Sequence, residues 1–221
     1  MKTLIEYGNY YHIYNRGNNS DNIFVEEKDY LHFLAIYDIY ISSVAETYAW
    51  CLMKNHFHLL LRIKNEDEIG FLNSEYANSE NSDLKWKAFF PKKTDKIFFK
   101  KPVPVLQLKH LFNAYSRWFN MRHHRTGSLF EKNFERKQVE SPNHFTNLIA
   151  YIHNNPVKHC FVEDTIDYPW TSYLTIKSTK PTTLISRNKV IAYFDTIENF
   201  INFHQKSMNE NEEKIKDLII E

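Results

Sequence analysis

A chain of 221 residues can bury one sizeable core, and is too short for more than one domain with appendages. Hydrophobic residues make up 43% of it and aromatics 16%, which excludes an intrinsically disordered protein. The formal net charge of +1 excludes no partner, but it is unevenly spread: residues 100–140 hold nine Lys and Arg against three Glu, and from 190 onward seven acids face three lysines.

Tyr10 to Tyr14 reads as a first strand, broken by the turn-rich run Asn15-Arg16-Gly17-Asn18-Asn19-Ser20. From Glu26 to Val44 the apolar residues Tyr30, Phe33, Leu34, Tyr37 and Ile41 fall near one helical face. Thr47 to Met53 is rich in β-formers and gives a second strand. Lys54-Asn55 is a tight connection, and His56 to Ile63 completes a hairpin as the third strand. Residues 64–104, rich in Asn, Ser, Glu and Lys, read as an irregular insertion. Helical spacing returns from Val105 to Arg122, with Gly127 beyond it as a stop signal. Ser128 to Val139 reads as an extended fourth strand. Ser141 as N-cap and Pro142 in the first turn then open a helix that should stop near Pro156. A short strand or coil from Trp170 and small helices around 187–205 and 208–220 follow.

Strand–helix–strand–strand–helix–strand is the split βαβ order. The expectation is an α+β, ferredoxin-like antiparallel sheet with helices on one face, a two-layer sandwich whose other face is left for a ligand. Residues 1–178 form the principal domain in this reading, and 179–221 an acidic, helical C-terminal extension. Cys51 and Cys160 lack the spacing of a metal finger or a disulfide framework, and suit a reducing compartment. The N-terminus lacks a signal-peptide core, and no run approaches the roughly 18 apolar residues of a membrane span. A cytoplasmic protein is expected.

His56-Phe57-His58 carries the most chemistry. On a strand both imidazoles project to one side and Phe57 to the other, so the pair can hold one divalent cation. Taken alone, such a pair on a strand is more often structural or partly exposed than a metal site. Tyr151 and Asn155 stand four apart in Tyr151-Ile152-His153-Asn154-Asn155-Pro156 and share a helix face. Asn155 offers a carbonyl oxygen to magnesium or manganese, and Tyr151 a phenol able to attack phosphorus. Alone, Tyr151 reads as a buried helix tyrosine, and His123-His124 as a basic, DNA-facing pair.

Five blocks in order give the constellation more weight. They are Tyr11-His12-Ile13-Tyr14-Asn15-Arg16-Gly17, Met53-Lys54-Asn55-His56-Phe57-His58-Leu59-Leu60, Arg125-Thr126-Gly127-Ser128-Leu129-Phe130-Glu131, the Tyr151 block extended through Val157-Lys158, and Pro169-Trp170-Thr171-Ser172-Tyr173. With them the chain resembles the single-tyrosine HUH transposases of the insertion-sequence type, and especially their REP-associated branch.

The resemblance implies that His56 and His58 bind a metal, Mg2+ or Mn2+, that Asn155 completes its site, and that Tyr151 is the nucleophile. Many relatives carry Gln at the position of Asn155 and Pro at that of Lys54. It further implies cleavage and rejoining of single-stranded DNA near a hairpin, a REP-like element or insertion-sequence end, through a 5′-phosphotyrosine, by a monomer or homodimer. Arg16, Arg117, Arg122 and Arg125 are the candidate phosphate contacts. Two other readings compete: a metal-dependent nucleic-acid hydrolase in which Tyr151 only packs, and a domesticated DNA-binding protein that keeps the fold.

Overall fold

The computed structural model describes residues 3–72, 88–89, 100–131 and 133–209. Strict alternation in β1 (Tyr10–Arg16) sends Tyr11 and Ile13 to one face and His12 and Tyr14 to the other. Helix α1 (Glu27–Ile41) follows, opened by a capping box in which the Asp29 carboxylate accepts from the Glu26 and Val25 N–H groups at 2.9 and 2.8 Å. Then come β2 (Ala45–Met53) and β3 (His56–Ile63), joined at Lys54-Asn55, and the two-residue strands β4 (Phe71–Leu72) and β5 (Ala88–Phe89). The remainder of the 73–99 stretch lies outside the described residues. Helix α2 (Pro104–Arg122), β6 (Glu135–Val139) and α3 (Pro142–Lys158) complete the principal elements.

Four strands form one antiparallel sheet in the order β2-β3-β1-β6. The expected fourth strand is shorter than its sequence suggested. Asn133 takes a left-handed φ of 61°, so the ladder begins only at Glu135, and Phe130 is left with an isolated bridge to Gly17.

The two-layer expectation is corrected. Helices α1 and α2 cover the face carrying Phe57, whose ring meets Phe33 at 5.6 Å and Phe112 at 5.3 Å. Helix α3 covers the opposite face: Phe145 packs against Tyr10 and Tyr48, each at 5.2 Å, and Tyr151 against His58. Every residue of β2 except Glu46 is buried, so this strand has no solvent face. A near-continuous apolar strand signals cover on both sides, and the third layer supplies it.

Helix α3 starts as its sequence indicates, with the Ser141 hydroxyl accepting from His144 N–H at 3.2 Å. It runs two residues past Pro156, because proline removes only its own N–H and the next turn closes by other means. Phe161 N–H reaches the Pro156 carbonyl and Cys160 N–H that of Val157, both at 2.9 Å, with Cys160 at φ 56°. This is a Schellman closure with cysteine in the left-handed position. Helices α4 (Tyr173–Lys177), α5 (Arg187–Ala192) and α6 (Ile197–Asn209) add Ile176, Val190 and Phe200 to the common core. Residues 210–221, which carry most of the acidic tail and the helix expected around 208–220, lie outside the described residues. Among the described residues no helix is long and apolar enough to cross a membrane.

Candidate active site

A row of side chains crosses the sheet on the α3 face. In register, Cys51 of β2 stands beside His58 of β3, His58 beside Tyr14 of β1, and Tyr14 beside Glu135 of β6. His56 is on the same face one step toward the hairpin turn, its ring 5.2 Å from that of His58. The hairpin is held in place by Gly17, whose N–H donates to the Asn55 carbonyl at 2.7 Å. A Cβ on Gly17 would sit 1.9 Å from the Asp21 carbonyl oxygen, so only glycine permits this approach.

Each histidine of the pair has its Nδ1 beside a hydrogen-bonding partner. His56 Nδ1 lies 2.8 Å from Asn55 Oδ1, which only accepts, so Nδ1 carries the proton and Nε2 the lone pair. His58 Nδ1 lies 3.0 Å from His12 Nε2, while His58 Nε2 is buried with no hydrogen-bond partner among the described residues. Burial holds all three imidazoles neutral: His12 is lowered to about 3, His56 to about 4, and His58 well below its ordinary value. A neutral imidazole with a free nitrogen is the form that ligates a metal.

Asn155 completes this arrangement. It is 1% exposed, and neither amide atom has a hydrogen-bond partner among the described residues. It approaches His56 closely enough to favour that ring's protonation without reaching bonding geometry. An amide buried and unpaired is costly unless a ligand satisfies it. No cluster of three or more His, Cys, Asp or Glu among the described residues is arranged to hold a metal. A cation held here would need a further donor, which the Asn155 carbonyl could supply. Two imidazole nitrogens and an amide oxygen suit a borderline-to-hard divalent ion, and these residues fit one.

Tyr151 lies behind the histidines. It is 3% exposed, with its ring edge-on to His58 at 5.8 Å and to His12 at 6.4 Å. The Lys158 ammonium sits over the ring, 4.8 Å from its centre. In front of the histidines a cavity of about 450 Å³ opens, lined among others by Tyr14, Arg16, Glu131, Glu135 and His159. Burial and Glu135 raise the pKa of the Tyr14 phenol.

Arg16 reaches this cavity, paired with Glu131 at 2.6 Å. The other predicted arginines do not. Arg117 and Arg122 lie on α2, across the sheet, and Arg125 follows its last turn. Arg122 pairs with Glu26 at 2.5 Å and Arg125 with Asp21 at 2.7 Å. His123, expected to face DNA, is instead bound to the buried Asp29 at 3.0 Å.

The sequence pattern did not single out His12, Tyr14, Glu135 or His159. Two-residue periodicity on β1 points to the first two, and His159, four residues beyond Asn155, to the last. His153 and Asn154, in the same block as Tyr151, face away from the site. Ser172 bonds His153 Nε2 at 2.6 Å, His153 Nδ1 bonds His204 Nε2 at 2.8 Å, and His204 Nδ1 donates to the Phe200 carbonyl at 2.7 Å. This buried relay ties α6 and the Trp170 block to α3, and its role is structural.

No protein-family model matches the chain. It is similar to a Haemophilus influenzae protein assigned as a REP-associated tyrosine transposase, 23% identical over 128 residues, which make up 58% of each chain. The chain thus spans little more than half the length of this curated relative. Among solved structures, one of a REP-associated tyrosine transposase bound to a REP hairpin overlays 82% of this chain and 89% of its own, at 14% identity and a TM-score of 0.49. The resemblance to REP-associated tyrosine transposases carried by the five blocks is thus met again in the curated relative.

Proposed function

We propose that this protein is a metal-dependent tyrosine transposase that cleaves and rejoins single-stranded DNA beside a hairpin. The observation that carries the reading is the convergence of unsatisfied buried atoms, His58 Nε2 and the Asn155 amide, next to His56 and directly against Tyr151. Mg2+ or Mn2+ held by His56, His58 and Asn155 would supply charge to polarise a phosphate oxygen.

The chain's own residues account for the remaining chemistry. Asn55 fixes the His56 tautomer, and His12 Nε2 would accept from His58 Nδ1 when His58 Nε2 binds the ion. Arg16 at the cavity holds a DNA phosphate. The Tyr151 oxygen attacks phosphorus: its P–O bond forms as the P–O3′ bond breaks, and the departing 3′-oxygen gains a proton in exchange for the one the phenol gives up. The product is a 5′-phosphotyrosine and a free 3′-hydroxyl. A second 3′-hydroxyl reverses the step without nucleotide energy. Phosphate contacts by Arg117, Arg122 and Arg125, on the far side of the sheet, would be made to DNA beyond the scissile step.

The test is incubation with hairpin-bearing single-stranded oligonucleotides in Mn2+, read by intact-protein mass. A covalent 5′-phosphotyrosyl adduct that disappears in Tyr151→Phe supports the proposal. Hydrolysed DNA with no adduct makes the protein a hydrolase, and binding without cleavage makes it a DNA-binding protein; either overturns it.

A further inference from the structure

The turns at Gly17 and at Gly127 belong to two of the sequence blocks. In the structure they meet. Asn18 N–H donates to the Leu129 carbonyl at 2.9 Å, Glu131 N–H to that of Arg16 at 3.0 Å, and Gly17 bridges Phe130. The Asn120 amide donates to the Gly127 carbonyl at 2.9 Å, fastening the segment to α2. The result is a hydrogen-bonded wall, and beside it lies a second cavity of about 390 Å³. That volume falls within the roughly 300–1,000 Å³ range of small-ligand sites.

The composition of this cavity is selective. Phe112, Phe130 and Phe134, each less than a tenth exposed, form an aromatic floor. Lys109, Asn113, Ser116 and Asn133 stand at the rim, with Lys109, Asn113 and Asn133 exposed. Glu131 is the single carboxylate lining the cavity among the described residues, and it is paired with Arg16 at 2.6 Å. Asn15 and Glu131 also line the cavity in front of His56 and His58, so the two open on either side of one wall.

We propose that this second cavity is a subsite for one unpaired nucleotide flanking the scissile phosphate, preferentially adenine. The inference rests on the reading of the first cavity as a DNA-cleaving site, and names a determinant of its specificity. An aromatic floor presents a surface against which any base can pack. Carboxamides are the side chains that pair bidentately with the N6/N7 edge of adenine, and Asn113 and Asn133 place two of them above that floor. Lys109 supplies a cation for the adjoining phosphate.

The experiment selects bound sequences from a DNA hairpin carrying a randomised single-stranded flank of about eight nucleotides, using the full chain with Tyr151→Phe so that nothing is cleaved. The expected result is one flanking position with an adenine preference of tenfold or more. With Asn113→Ala and Asn133→Ala added, that preference falls below about threefold while the other positions keep theirs. Both asparagines are exposed, and Asn113→Trp, which fills the cavity from the helix surface, gives the same loss in a chain that keeps its hairpin affinity. An unchanged sequence profile in these variants, or no enriched position at all, overturns the subsite. The selection needs no cleavage, so failure to form an adduct with Tyr151 is read separately and overturns the proposed reaction alone.

Discussion

Replacing His12 by phenylalanine keeps a planar ring in the stack between Tyr14 and His58, at 4.9 and 5.2 Å, and removes the one atom that fixes His58. His58 Nδ1 then loses its partner at 3.0 Å, and with it the acceptor that a His58 bound to metal through Nε2, and so protonated on Nδ1, would use. Loss of such an outer partner weakens metal binding about ten- to hundredfold, or about 1.4–2.7 kcal/mol. A buried N–H without a partner also costs about 1–3 kcal/mol of folding stability. Calorimetric titration with Mn2+ and urea unfolding read the two effects apart. His12→Gln, which returns an acceptor, should recover most of the Mn2+ affinity. Binding by the His12→Phe chain within twofold of wild type would refute the reasoning, because His12 would then be a packing residue only.

Three further outcomes are expected. His12, His56, His58, His153 and His204 all have folded-state pKa values below the ordinary histidine value, by burial first. The unfolded chain therefore binds more protons than the folded one below about pH 6.5. Stability should fall as pH drops from 6.5 toward 4, by up to about 1.4 kcal/mol per pH unit per group; a urea midpoint flat between pH 7 and 5 contradicts this. Gly17→Ala drives a methyl group into the Asp21 carbonyl oxygen and should cost at least about 2 kcal/mol in urea unfolding, with Mn2+ affinity reduced because the Asn55–His56 turn shifts. Arg16→Ala breaks an exposed ion pair and should change stability by less than about 0.5 kcal/mol. The same substitution should lower the salt dependence of oligonucleotide binding by about one unit of slope, measured by anisotropy across a salt series.

Much of this architecture was legible along the chain, because local signals and tertiary demands agree where strands alternate and helices are capped. The His56–Ile63 strand, the Ser141 cap and the Val105–Arg122 helix need only period, turn chemistry and propensity, and each lies within a residue of its expected bounds. The helix expected to stop near Pro156 ends two residues on, at Lys158, because proline forbids its own hydrogen bond and not the helix beyond it. The second buried face of β2 misled because an apolar run does not say what covers it. Arg122, Arg125 and His123 read as free cations since their acidic partners, Glu26, Asp21 and Asp29, lie about a hundred residues earlier.

The sequence by itself determined which side-chain types meet at the site: two imidazoles on one strand face, and a phenol and an amide one helical turn apart. Only the tertiary structure decided which nitrogen of each imidazole is available, since that depends on His12 and Asn55 occupying the other. Only it brought Asn155 to the histidines unpaired and placed Tyr151 behind them. The chemistry of a side chain is carried by its residue type. The state in which that chemistry is held is set by neighbours distant in the chain, through burial and hydrogen bonds that no local pattern records.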